Sequence, residues 1–295
     1  MTLSDTHSRK LVSRRGFLTA GAVGVTGLAL YAGEIERHWI EVTQIDIRLK
    51  GLPAAFEGLR IAQLSDIHMD EYTEPFFLRD AVQRINRMQP DVVLLTGDYV
   101  SDGPAGRDFA IGAAWQCANI LRDLKCSRIY AVLGNHDLAV SVLEVSAALI
   151  DNGFTLLRNA SLPLERDGSR IWIAGLDDPV NGRPDPERTI PASIRNAINE
   201  PIILMCHAPD YIDDLMLHPA GRSAGLVLSG HTHGGQVRLP FLKGFDLPPL
   251  GKKYLQGSFQ FGETQLYVNR GIGTVGVPFR FNCPPEITQF TLRRA

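Results

Sequence analysis

The 295-residue sequence predicts an α/β protein: a four-layer sandwich of two mixed β-sheets packed face to face, with helices on both outer faces. Three observations predict it. In the first half, short apolar runs alternate three times with amphipathic stretches of helical length. In the second half, strand signals crowd together and long helices are lacking. Histidines and acidic residues collect directly after the apolar runs, where an open α/β sheet gathers its ligands.

From Trp39 to Leu49, Ile40, Val42, Ile45 and Ile47 alternate with polar residues, as in a half-buried strand shifted in phase near Thr43. Arg60–Ser65 is a short buried strand that delivers Asp66. Thr73 and Pro75 start a helix with Leu78, Ala81, Val82, Ile85 and Met88 on one face, and Pro90 stops it. Asp91–Thr96 is the next strand, ended by Gly97-Asp98. A helix over Arg107–Leu124 turns Phe109, Ala113, Cys117, Ile120, Leu121 and Leu124 inward. Arg128–Leu133 is a strand closed by Gly134-Asn135-His136-Asp137, and Ala139–Ile150 is a helix with Val142, Leu143, Leu149 and Ile150 inward.

Three strand signals then follow closely, Phe154–Leu157, Leu162–Arg166 and Arg170–Ala174, the last two joined by an Asp167-Gly168 hairpin turn. After a helix near Ala192–Asn199 come strands at Ile202–Cys206, Gly225–Leu228, Gln236–Leu239, Gln265–Asn269 and Glu286–Leu292. A second sheet built from these strands and packed against the first is the economical arrangement.

Composition sets limits. Hydrophobic residues make 44% of the chain and charged ones 21%, enough for one substantial core. Lysine and arginine number 30 against 32 acidic residues, net charge -2, so no broad basic surface is available and no nucleic-acid partner is expected. Cys117, Cys126, Cys206 and Cys283 show no C-x-x-C pairing and read as core thiols.

The charge is uneven at the start. Arg9, Lys10, Arg14 and Arg15 face only Asp5, and residues 16–33 are uncharged. Ser13-Arg14-Arg15-Gly16-Phe17-Leu18 resembles a twin-arginine leader, so residues 1–33 are expected to be an export signal and 34–295 the folded domain. The export machinery is then a partner, and the destination is the periplasm or the outer face of the cytoplasmic membrane. Gly27-Leu28-Ala29 is a passable cleavage site, yet Gly16–Gly33 would reach about 27 Å as a helix. Removal and retention as a membrane anchor both stay open.

Five of the eight histidines, His68, His136, His207, His231 and His233, end apolar runs beside Asp66, Asp98 and Asn135. His7, His38 and His218 have no such setting. One Asp-x-His after a strand is more often a solvated turn than a ligand pair. In order, however, Asp66-Ile67-His68, Gly97-Asp98, Gly134-Asn135-His136-Asp137, Cys206-His207 and Gly230-His231-Thr232-His233 resemble the blocks of the calcineurin-like metallophosphoesterase superfamily, in its exported bacterial branch. The resemblance implies the metallo-dependent phosphatase fold. It also implies a phosphate-ester substrate and two divalent ions, one held by Asp66, His68 and His233, the other by Asn135, His207 and His231, with Asp98 bridging.

Carboxylate, imidazole and amide oxygen suit Mn, Fe or Zn, and a carboxylate can bridge ions roughly 3.5 to 4 Å apart. A shared hydroxide would be the nucleophile. His136 would protonate the leaving group or hold transition-state charge. Asp137 would orient His136 or, more simply, cap its helix. Glycines 97, 134 and 230 would let the backbone turn beside the ions.

In the superfamily's phosphoprotein phosphatases the second block reaches a phosphate-gripping arginine. Here Asp102 stands there, and a carboxylate would repel a dianionic monoester more than a diester or pyrophosphate. The rivals are a pyrophosphatase acting on a UDP-diacylglucosamine-type lipid A precursor, a phosphomonoesterase, and a non-catalytic metal-binding scaffold. Leu239, Phe241, Leu242, Phe245, Leu247, Leu250, Tyr254 and Phe259 either pack on the edge of the second sheet or wall a lipid-accepting site, with Lys243, Lys252 and Lys253 among them.

Overall fold

Short parallel strands, buried on both faces, lie at the centre of each sheet of this computed structural model, which describes residues 13–70, 72–239 and 247–295. The first sheet holds β1 (Glu41–Leu49), β2 (Arg60–Leu64), β3 (Val92–Leu95), β4 (Ile129–Ala131), β5 (Thr155–Leu156) and, from the chain end, β12 (Glu286–Arg294). Their order is β1-β12-β2-β3-β4-β5, and only the β12–β2 pair is antiparallel. The second sheet holds β6 (Ala160–Arg166), β7 (Ser169–Gly175), β8 (Ile202–Met205), β9 (Ala224–Ser229), β10 (Gly257–Phe261) and β11 (Thr264–Val268), in the order β10-β11-β9-β8-β7-β6. Its two edge pairs are antiparallel.

Alternation along the strands builds the layers. Val92 and Leu94 join the core between the sheets, while Val93 and Leu95 face the helices. Ile203 and Met205 face the first sheet, while Ile202 and Leu204 face outward under short helical turns. The predicted two-sheet sandwich is the observed architecture, except that Thr155–Leu156 and Glu286–Arg294, expected in the second sheet, pair instead within the first.

Four longer helices accompany the sheets: α1 (Arg14–Leu30), α2 (Pro75–Met88), α3 (Arg107–Leu121) and α4 (Asn135–Asp151). Helix α2 starts with proline at its first turn, buries Leu78, Ala81, Val82 and Ile85 on one stripe, and ends at Gln89 in the left-handed region before Pro90. Asp167 and Gly168 both take positive φ, the hairpin turn that right-twisted strands favour.

Some expectations fail. Phe109, Leu143 and Ile150 are exposed rather than inward. Helix α4 is broken at Ser141 (φ -175°, ψ 110°); Leu149 is buried as expected, and Val140, Val145 and Ala148 join it in place of Leu143 and Ile150. Gln236–Leu239 is no strand and makes one bridge, Val237 to Phe281. The helix near Ala192 stops at Arg195. Tyr254, Phe259 and Phe261 cluster edge to face on the second sheet, where β10 supplies an edge that the sequence reading did not foresee. Phe241, Leu242, Lys243 and Phe245 lie outside the described residues. All four cysteines are free, three of them buried.

Helix α1 buries none of its residues. From Arg14 to His38 the chain is long and apolar enough to cross a membrane, with a mean hydropathy of 1.4.

Candidate metal centre

The carboxyl ends of β2, β3, β8 and β9, together with the start of α4, bring all eight predicted residues to one place. Asp66, His68 and His233 present ligand atoms within 4.8 Å of one another, as do Asp98, His207 and His231. Asn135 begins α4 beside them, and its Oδ1 is buried with no hydrogen-bond partner. Ring centroids of His68–His136, His68–His233 and His207–His231 lie 4.8 to 5.0 Å apart.

Each carboxylate is pinned by one oxygen and presents the other. Asp66 Oδ1 accepts the His231 backbone N–H at 2.7 Å, while its Oδ2 is buried and unpartnered. Asp98 Oδ1 accepts the His136 N–H at 3.0 Å. Its Oδ2 lies 3.5 Å from His68 Nε2 and 3.1 Å from His207 Nε2, between the two histidine groups. Asp98 Oδ2 thus faces an imidazole of each group.

The second ring nitrogens set the tautomers. His207 Nδ1 donates to the Thr96 carbonyl at 2.7 Å and His231 Nε2 donates to the Pro249 carbonyl at 2.7 Å. His207 Nε2 and His231 Nδ1 are therefore the ring nitrogens left to face a cation. Ser101 Oγ donates to Asp70 and so accepts from His68 Nδ1 at 3.0 Å, which leaves the lone pair on His68 Nε2, facing His233 Nε2. His207 Nε2, like Asn135 Oδ1 and Asp66 Oδ2, lacks an aligned hydrogen bond although buried. Unpaired buried polar atoms cost roughly 1–3 kcal/mol each, and converging acceptors fit cations.

Electrostatics divide the imidazoles. Burial opposes charge on His207, but Asp98, Asp66 and Asp178 outweigh it and hold it well above its usual value. It keeps its proton until a cation replaces it, whereas His68, His231 and His233 are depressed. Burial lowers His68 to about 3, against the pull of Asp98, and lowers His231 to about 4 with help from His207. Burial, His68 and the Arg280 guanidinium hold His233 well below its usual value. These imidazoles are neutral, as ligands must be. Burial raises Asp66 to about 6.

Backbone strain concentrates here. Asp66, His68, Asp98, His231 and His233 all have φ between 47° and 73°, a region that costs non-glycine residues about 1 kcal/mol or more. A Cβ on Gly230 would lie 2.0 Å from Ser65 Oγ and 2.1 Å from Asp66 Oδ2, so glycine is required by close approach.

Several contributors were not legible. Asp137 does more than cap its helix: its carboxylate accepts N–H groups of Gly134, Asp98, Tyr99 and Val100, clamping the loop that carries Asp98. Asp102 pairs with His136 Nδ1, so it is a counter-ion rather than the free repulsive charge the sequence suggested. Burial opposes charge on His136, but Asp98 and Asp102 outweigh it and raise the imidazole to about 9. Arg280 is fully buried and holds the carbonyls of Arg270, Gly271, Gly273 and Cys283. Asp177 and Asp178 accept backbone N–H groups of their own loop, whose Asn181 donates to the Asn135 carbonyl.

The centre opens into a cavity of about 230 Å³, lined by His136, His231 and His233 and by apolar Val237, Leu247, Pro248, Val275 and Val277. A larger hollow of about 690 Å³ lies at the opposite strand ends, around the Asp167-Gly168 turn, and contains none of the candidate residues.

The pattern of the calcineurin-like phosphoesterases matches residues 59–235. The chain is 37% identical to the uncharacterized metallophosphoesterase YkuE of Bacillus subtilis, over 96% of this chain and 99% of that one. It is 30% identical to phosphodiesterase YaeI of Escherichia coli, over 96% and 100%. It is 27% identical to the UDP-2,3-diacylglucosamine pyrophosphatase LpxG of Chlamydia muridarum, over 88% and 91%. Among solved structures, the calcineurin-like phosphoesterase YfkN of Bacillus subtilis aligns with a TM-score of 0.47 at 14% identity, over 73% and 82%.

Proposed function

This chain belongs to the calcineurin-like phosphoesterase family and is a metallophosphoesterase, and on that premise we propose that it hydrolyses a phosphodiester or phosphoanhydride at a two-metal site. The observation that carries this reading is Asp98 Oδ2, placed between His68 Nε2 and His207 Nε2 with unpartnered Asp66 Oδ2 and Asn135 Oδ1 nearby. Asp66, His68 and His233 would hold one ion, and Asn135, His207 and His231 the other. Asp98 would serve both. Two divalent ions of the Mn, Fe or Zn type would supply Lewis-acid stabilisation of phosphoryl charge and lower the pKa of water.

The chain's own groups do the rest. Backbone N–H groups fix one oxygen of each carboxylate, and carbonyls fix the imidazole tautomers. Asp102 keeps His136 protonated and aimed from the mouth, where it can give a proton to the departing oxygen as water adds to phosphorus and the P–O bond breaks.

Since Asp102 is paired, its repulsion no longer argues for a diester. The mouth does: among the described residues lining it there is no lysine or arginine to grip a dianion. A second reading, cleavage of the pyrophosphate in a nucleotide-sugar lipid, is favoured by the likeness to LpxG and by the apolar mouth. The start of the chain, Ser13-Arg14-Arg15 followed by an apolar helix, supports export by the twin-arginine route with residues 1–33 as leader or anchor and action on the outer side of the cytoplasmic membrane.

The test is turnover of bis(nitrophenyl) phosphate, nitrophenyl phosphate and a nucleotide-sugar lipid by protein loaded with Mn or Zn. Diester or anhydride cleavage that Asp98→Asn abolishes is expected. Bound metal without turnover would make the chain a scaffold, and faster monoester cleavage would overturn the diester assignment.

A further inference from the structure

One loop builds both the mouth of the metal centre and the seat of the apolar N-terminal helix. Val275 and Val277 line the cavity beside His136, His231 and His233. Three residues on, the Arg280 N–H donates to the Ala32 carbonyl at 3.1 Å, and the Cys283 N–H donates to buried Glu36 Oε1 at 2.6 Å. Gly33 lies so close to Phe279 that an added Cβ would stand 3.0 Å from the ring. The Arg37–Glu74 pair at 2.5 Å ties the same segment to the start of α2.

The loop is held as a unit. Buried Arg280 spans it, donating to Gly273 and Cys283 carbonyls, while Gly273 N–H donates to the Asp66 carbonyl at 2.7 Å. The foot of the helix and the metal centre are therefore fixed to each other. Around that foot and the mouth stand exposed apolar side chains: Tyr31 38%, Ile35 53%, Trp39 65%, Leu239 42%, Val277 42% and Phe279 37%. Tyrosine and tryptophan at the end of an apolar helix suit a membrane interface.

Distances allow contact with lipid. Helix α1 has 17 residues, about 26 Å at 1.5 Å per residue, against a hydrocarbon core of about 30 Å. From Val277 to Arg280 the chain spans at most about 11 Å, comparable with a headgroup layer of roughly 5–8 Å on each side of the core.

We propose that α1 is retained in the membrane and holds the mouth against the headgroup layer, so that the site takes a phosphoester lipid whose phosphate reaches the metal centre while its acyl chains stay in the bilayer. This rests on the phosphoesterase reading and names its substrate class. The bilayer covers the exposed apolar rim, and a mouth whose described lining holds no lysine or arginine, with His136 as its cation, admits a singly charged phosphodiester.

The experiment uses the full chain, Mn-loaded and reconstituted in phosphatidylcholine vesicles that carry hexadecyl nitrophenyl phosphate, with bis(nitrophenyl) phosphate in water as the comparison. The double variant Ile35→Asp, Trp39→Asp is expected to lose about tenfold, or 1.4 kcal/mol, on the vesicle-borne diester and to keep its rate on the soluble one. Equal loss on both substrates, or loss on neither, overturns the proposal. If wild type cleaves neither diester, the phosphoesterase reading fails; if it cleaves only the soluble one, this inference alone fails. As a check independent of turnover, Val277→Trp in a Trp39→Phe, Trp115→Phe, Trp172→Phe background should be quenched by brominated phosphatidylcholine. Emission that brominated lipid leaves unchanged also overturns it.

Discussion

His68 Nε2 and His233 Nε2 stand 3.0 Å apart in a fully buried setting, two nitrogens that share a single proton unless a cation comes between them. Both imidazoles are held neutral, and Arg280 lies 3.4 Å from His233 Nδ1. Metal uptake should therefore raise the melting temperature, and the protons it displaces come from Asp66 and His207, whose values are raised, rather than from this neutral pair. Because Asp66 is held up at about 6, it keeps its proton below that pH, and metal affinity should fall as pH drops through 6. Calorimetric titration with Mn in two buffers of different protonation enthalpy measures both effects; pH-independent binding contradicts the assignment.

Asp98→Asn keeps the shape but removes the charge that faces both histidine groups. Turnover of an aryl diester should fall by roughly a thousandfold, a loss of about 4 kcal/mol in transition-state stabilisation. Elemental analysis should find less than the wild-type metal content. Wild-type metal and wild-type rate together would remove Asp98 from the site.

Asp102 acts on the reaction through His136. The histidine is protonated below about 9 because Asp98 and Asp102 outweigh the effect of burial. Activity that needs this proton is lost as pH rises through that value. Asp102→Asn should shift the alkaline limb of the kcat profile to lower pH with little change in metal content. An unmoved limb would show that the pair is structural only.

Glu286 provides a stability test away from the proposed ligands. It is buried, which disfavours its charge, but Arg270, Tyr267 and Thr288 outweigh that and lower its pKa below 4.5. A depressed carboxylate contributes stability above its unfolded value and loses it as pH falls through the folded one. Glu286→Gln should thus cost about 2 kcal/mol or more at pH 7, and the gap from wild type should narrow under acid. Denaturant melts at neutral and acidic pH give both numbers, and an equal gap at both would refute the linkage.

Gly230→Ala places a methyl group inside contact distance of Ser65 and Asp66. Overpacking of this kind costs about 1–3 kcal/mol, with a drop of several degrees in melting temperature. Thermal denaturation reads it directly. Gly257→Ala is the contrast: a Cβ there meets nothing within 4 Å, so only its positive φ is penalised.

The sequence by itself determined the strand ends and the ligand types. Runs such as Val92–Leu95 are buried on both faces, and Asp66, His68, Asp98, Asn135, His136, His207, His231 and His233 follow such runs within a few residues, so their convergence was legible from where the strands end. Tertiary structure alone decided which oxygen of Asp98 faces the histidines, that Asp102 neutralises His136 rather than repelling a substrate, and that Asp137 clamps a loop 38 residues away in sequence. It also decided that Leu143 and Ile150 point outward, because α4 packs on the first sheet by the face that carries Val145, Ala148 and Leu149. Arg280 carries no local signal at all. Its place beside His233 arises from packing the 270–283 loop between the metal centre and the foot of α1, and hydrogen bonds to backbone carbonyls leave no trace in the sequence of the residues that accept them.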